Sequence, residues 1–213
     1  MDLATYVGVF IGATVFLALE PGPGFIKLSS DAVQKGRIAA TLAAFGMALG
    51  ALPYIAIVSV GFDALVGAMP GMLAVLKFAG CAYLIWQASM LLRRRPGTDE
   101  AATGSHLGAR PSLFRSLSDG FLLVFLNPRT PVLYAAFPAL FLRQDAVIAP
   151  GTQLLLLGVA VASIFLIVDL AFVALARSAG QRLRASSGVQ RVARYVGASL
   201  LLLFGARLLF SRV

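Results

Sequence analysis

Long apolar runs, each closed by a short polar or basic stretch, occupy most of this chain. Six of them stand out: Leu3–Phe25, Ile38–Val60, Gly71–Leu92, Leu113–Leu142, Leu154–Ala176 and Val192–Phe210. A bilayer hydrocarbon core about 30 Å thick takes about 20 apolar residues of helix to cross. The pattern predicts an all-α integral membrane protein with six transmembrane helices. The longest connector, Arg93–Ser112, carries Pro96-Gly97, Ser105 and Pro111. It reads as a polar linker (93–112) between a first three-helix unit (1–92) and a second (113–213). The first run is preceded by Asp2 and by no Lys or Arg. It lacks the positive leader of a secretory signal and reads as a retained helix.

Composition sharpens this picture. The chain has 213 residues, of which 59% are hydrophobic and 13% charged, with a mean hydropathy of +0.88. Soluble domains run near half apolar and a quarter charged. The departure excludes a disordered chain, a nucleic-acid-binding domain and an ordinary cytosolic enzyme. The formal charge of +9 is explained by topology. Segment 27–37 holds Lys27, Lys35 and Arg37 against Asp31. Segment 93–115 holds Arg93, Arg94, Arg95, Arg110 and Arg115 against Asp99 and Glu100. Segment 177–194 holds five arginines and no acid. The segments between them are nearly neutral. Basic loops face the cytoplasm, which predicts three cytoplasmic loops and both termini outside. One Cys (Cys81) and one His (His106) allow no internal disulfide and no zinc site, so neither metal nor cofactor is expected.

The two halves resemble each other. Phe78-Ala79-Gly80-Cys81-Ala82-Tyr83-Leu84 aligns with Tyr195-Val196-Gly197-Ala198-Ser199-Leu200-Leu201. Glu20-Pro21-Gly22-Pro23 closes an apolar run in the first span, as Asn127-Pro128-Arg129-Thr130-Pro131 does in the fourth. A three-helix unit crosses the membrane an odd number of times, so its second copy enters from the opposite side. The expectation is a 3+3 inverted-topology repeat with helices 1 and 4 broken, an architecture that places substrate where the breaks meet.

The breaks are where chemistry is expected. Proline removes an N–H and clashes with the preceding turn. In lipid the freed groups must be satisfied by protein or by a wet cavity. Each break exposes a helix N-terminus that favours anions and a C-terminus that favours cations. Two opposed breaks therefore suit the carboxylate and ammonium of one small zwitterion. The residues assigned to substrate binding are Glu20, Pro21, Gly22, Pro23, Gly24, Asn127, Pro128 and Arg129. Intramembrane ionisable groups are functional hypotheses by default. Glu20 and Asp169 are the proton-coupling candidates, and Arg129 is suited to pairing a carboxylate in two-point fashion. Lys77 and Tyr83 are secondary candidates, against the competing readings that Lys77 snorkels to the interface and Tyr83 belongs to an aromatic belt. Two placements stay open for Glu20, at the membrane midplane or solvated at the cytoplasmic surface. Asp169 also reads as a structural partner for Arg129 or Lys77, and Asp119 as an interfacial residue. Gly8-x-x-x-Gly12 and Gly46-x-x-x-Gly50 offer small faces for close helix packing or for a homodimer.

These motifs resemble the LysE/RhtB superfamily of bacterial amino-acid exporters. The likeness is carried in order along the chain by Pro21-Gly22-Pro23, Gly46-Met47-Ala48-Leu49-Gly50, Gly80-Cys81-Ala82-Tyr83-Leu84, Asp119-Gly120-Phe121 with Asn127-Pro128-Arg129, and Gly197 through Gly205 with Arg207. The resemblance implies a secondary transporter, not an enzyme, that exports amino acids or related small metabolites across the bacterial inner membrane by proton antiport. It implies a small-molecule substrate, a lipid environment, periplasmic termini and no nucleic-acid partner. The alternative is an exporter or channel for metal or other small ions from a related six-helix family. The chain departs from the family pattern at Glu20, Gly24, Ala51 and Arg129. Glu20 is positioned to take over a role held by an acid elsewhere.

Overall fold

The computed structural model describes residues 2–20, 22–68, 113–143 and 146–175, with single helical positions at Phe78, Ala82, Ile85, Ser89 and Ser199. The assignments made to Pro21, Lys77 and Tyr83, and most of the third and sixth spans, lie outside the described residues. Six helices and no strand are present among the described residues: α1 (Leu3–Ala18), α2 (Pro23–Gln34), α3 (Arg37–Ala68), α4 (Leu113–Phe125), α5 (Arg129–Ala139) and α6 (Pro150–Leu175).

Helix lengths divide these elements into two kinds. The apolar part of α3, Arg37–Phe62, and the whole of α6 each run 26 residues. At 1.5 Å per residue each is about 39 Å long, enough to cross a bilayer with tilt. Both are apolar on all sides, and side chains such as Ile57, Val60 and Ile167 stand exposed on their outer faces. A helix of this kind needs lipid or protein around its whole circumference. The other four helices have 16, 12, 13 and 11 residues. None exceeds about 24 Å, so none crosses alone. They form two bent pairs, α1 with α2 at 61° and α4 with α5 at 67°.

Local sequence fixes each bend. In the first, the N–H of Leu19 still reaches the Val15 carbonyl, but that of Glu20 bonds one residue short, to Leu17. Gly22 is extended and caps α2, and Pro23 takes its first turn. A missing N–H costs nothing at that position. In the second bend, Pro128 and Pro131 have no N–H to donate. Asn127 repairs the ladder: its side-chain oxygen accepts the Arg129 N–H at 3.0 Å and its carbonyl accepts that of Thr130 at 3.0 Å. The Phe125 carbonyl, which an unbroken helix would pair with Arg129 N–H, instead accepts the Tyr54 hydroxyl from α3.

The bundle is drawn tight by glycines. A methyl added at Gly46 on α3 would lie 2.0 Å from the Leu117 carbonyl oxygen of α4. One added at Gly120 on α4 would lie 2.1 Å from the Ala43 oxygen of α3. Backbone therefore touches backbone along this seam, the close approach that small residues permit. Gly46 and Gly50 thus face α4 of the same chain. Among the described residues, nothing lies within 4 Å of a Cβ added at Gly8 or Gly12. One apolar cluster joins α1, α3, α5 and α6 through Phe10, Leu17, Ile55, Leu133, Phe137 and Val161. A second joins α2, α3 and α6 through Leu28, Ala40, Ala44 and Val173.

Two polar ties complete the frame. The segment read as a loop from residue 27 is helical through Gln34. There Lys27 and Lys35 grip Asp31 at 2.5 and 3.0 Å, one turn to either side, and both reach Asp119 on α4 at 3.4 and 3.8 Å. Asp31 is buried. At the other end, the Gln153 amide exchanges hydrogen bonds with the Arg143 backbone at 2.9 and 3.0 Å and donates to the Ile148 carbonyl. It closes the turn between α5 and α6.

Candidate functional site

The two bends face each other across a cavity of about 130 Å³, room for about four waters at ~30 Å³ apiece. Glu20, Gly22, Pro23 and Gly24 line it from the first bend, and Asn127 and Arg129 from the second. Six residues chosen from sequence therefore share one wall. Pro128 is not in that wall: it is exposed and sits immediately before α5, where it sets the bend. Asp169, six residues before the end of α6, also lines the cavity and is 7% exposed.

The cavity is polar at the bends and apolar between them. Leu17, Met47, Val124, Leu133, Phe165 and Leu166 supply hydrocarbon. Gly24 lets α2 approach α3, since a Cβ there would meet the Met47 methyl at 2.7 Å. Phe25 packs edge-on against Phe172 of α6, ring centroids 4.6 Å apart, and anchors the start of α2.

Charge is arranged with equal economy. Glu20 and Arg129 meet fork to fork. Arg129 Nη1 donates to Glu20 Oε1 at 3.3 Å, and Nη2 donates to Oε2. The Glu20 side chain is 8% exposed and that of Arg129 27%. The Glu20 carboxylate is therefore largely buried as well as paired. Among the described residues, the acid that pairs with Arg129 is Glu20.

Two further polar residues belong to the cavity that the sequence reading passed over. Thr130 and Tyr134 line it and are buried. In an apolar segment a lone Tyr reads as packing or as an interfacial anchor. The available signal was spacing. Asn127, Thr130 and Tyr134 follow one another at three and four residues, which puts them on one helical face with the break.

Comparison with known proteins identifies the family. Residues 15–212 match the family described as LysE type translocator. A Vibrio cholerae protein named only as an uncharacterized membrane protein is 30% identical over 199 residues, covering 92% of this chain and 93% of its own. The homoserine/homoserine lactone efflux protein of Salmonella typhi is 28% identical, covering 95% of both chains. The threonine efflux protein of the same organism is 25% identical over 60% of this chain and 62% of its own. No solved structure matches at a significant level. A match over nearly the whole length, with the paired helix breaks that it contains, establishes that this membrane protein belongs to the LysE type translocator family.

Proposed function

We propose that this protein exports amino acids or related small metabolites across the bacterial inner membrane in exchange for protons. The observation that carries the reading is the cavity itself. It sets one guanidinium and two carboxylates around a small, partly apolar hollow, at the meeting of two interrupted helices. A zwitterion with a short side chain has the matching charges, whereas a bare cation has no use for Arg129. The relatives named for homoserine and threonine efflux favour amino acids of that size.

Asn127 and Arg129 hold the substrate carboxylate, and Glu20 takes its ammonium group or a proton. Exchange needs proton and substrate to exclude one another. A buried carboxylate does this when the same oxygens bind either an ammonium or a proton. Asp169, within the wall and shielded from solvent, is the second group placed for that task. Each bent pair is followed in sequence by one long helix, α3 or α6, which supports an inverted 3+3 repeat. The basic stretch around Lys27, Lys35 and Arg37 supports a cytoplasmic end for α2 and periplasmic termini.

The test is uptake of labelled homoserine and threonine into inverted vesicles containing the purified protein, with and without an imposed proton gradient. Gradient-driven accumulation is expected, and Asp169→Asn should abolish the response to the gradient. Equal counts in protein-containing and empty vesicles would end this reading.

A further inference from the structure

Glu20 and Arg129 are 109 residues apart in sequence and stand on opposite bends, yet they form a two-point ion pair. The Glu20 carboxyl is planar, carries one negative charge and offers two oxygens. In all three respects it resembles the carboxylate of an amino acid. It fills the Nη1–Nη2 edge of Arg129, one of the two edges on which a guanidinium makes two-point contact with a carboxylate. A substrate seeking that edge finds it taken.

Charge pairing decides which ligands dislodge it, because the Glu20 side chain is only 8% exposed. A guanidinium or carboxylate left unpaired away from water is strongly unfavourable. When a zwitterion enters, its carboxylate takes Arg129 and its ammonium receives the released Glu20. Both protein charges then stay paired. When a simple carboxylate enters, Arg129 stays paired but Glu20 loses the guanidinium and receives no cation in exchange. We propose that Glu20 is a specificity-determining residue: it occupies Arg129 as an internal stand-in for substrate and yields only to a ligand that carries its own ammonium group. Because the pair ties one bend to the other, its rupture also unfastens the two halves of the site at the moment substrate arrives. This inference rests on the proposed role of Arg129 as the partner of the substrate carboxylate.

Butyrate and 2-aminobutyrate test it, since they differ by the amino group alone. Their affinities are measured calorimetrically on the purified full-length protein. The wild type should bind 2-aminobutyrate at least tenfold more tightly than butyrate. Glu20→Gln should bind butyrate about tenfold more tightly than the wild type does. That is the gain expected if the pair blocks Arg129 in about nine molecules of ten, because apparent affinity scales with the competent fraction. The preference for the amino compound should shrink accordingly. Glu20→Asp keeps the charge but shortens the reach, and serves where Glu20→Gln does not fold. It should gain butyrate affinity by a smaller factor. Butyrate affinity unchanged or weakened in the folded variants, with 2-aminobutyrate still bound by the wild type, would overturn this inference and leave the proposed function standing. Failure of the wild type to bind 2-aminobutyrate would overturn both.

Discussion

Replacing Gly46 or Gly120 by Ala asks whether the α3–α4 seam positions the site. The new methyl would lie 2.0 Å from the Leu117 oxygen in one variant and 2.1 Å from the Ala43 oxygen in the other. Carbon and carbonyl oxygen settle at about 3.3 Å or more, so the helices must part by roughly 1.3 Å. The obstacle is backbone in both directions, and no rotamer change relieves it. Overpacking of this kind costs about 1–3 kcal/mol, and a gap near 1 Å forfeits up to about half of the dispersion along the seam. Gly8→Ala and Gly12→Ala are the controls, because among the described residues nothing stands within 4 Å of either new methyl. There the change gains up to about 1 kcal/mol of helix propensity. The assay is the fraction remaining monodisperse on size exclusion after heating in detergent. At about 2–4 °C per kcal/mol for a chain of this size, the seam variants should lose about 2–12 °C and the controls none. The double variant should lose less than the sum, since parting the helices once admits both methyls. Asn127 lies seven residues beyond Gly120, about two turns along α4, so the displacement reaches the bend. Transport should therefore fall even at temperatures where the variants stay folded. Seam variants that melt with the wild type, or controls that fall equally, would refute this account of the packing.

Three further outcomes follow from the same structure. Asn127→Ala removes the acceptor of the Arg129 N–H; export in vesicles should drop at least tenfold with a loss of stability of about 1–3 kcal/mol, and Asn127→Asp, which keeps the acceptor but repels the substrate carboxylate, should restore the stability and not the export. Asp31→Asn leaves Lys27 and Lys35 without their buried partner; the loss of about 3 kcal/mol should barely change between low and high salt in thermal melts, as burial shields the pairs from screening. Gln153→Ala removes the acceptor of the Arg143 N–H and the donor to the Arg143 and Ile148 carbonyls; amide exchange of residues 146–149 should accelerate while that of α3 stays unchanged.

By itself the amino-acid sequence determined the class of the protein and the places where its helices bend. Hydrophobic run length is a local property, as is the absence of an N–H at Pro23, Pro128 and Pro131. The bends accordingly fall within the predicted motifs, at residues 19–22 and 126–128. The residues that repair them are also nearby in sequence, Gly22 in one case and Asn127 in the other. The residue types in the wall were legible for the same reason, because a charge beside a helix break inside an apolar run is conspicuous.

Pairing was decided only by the tertiary structure. Nothing local distinguishes Glu20 from Asp169 as the partner of Arg129; that choice depends on how two bent helices 109 residues apart are set against each other. The seam made by Gly46, Gly50 and Gly120 depends on the same packing, as does the Tyr54 hydroxyl that serves the Phe125 carbonyl. The stretch from Lys27 to Lys35 reads as a loop because it is charged. It folds as a helix because Lys27 and Lys35 reach Asp31 at one-turn spacing and Asp119 across the bundle. Lipid rewards burial of polar groups only when each finds a partner, and partners drawn from distant segments exist only once the helices have packed.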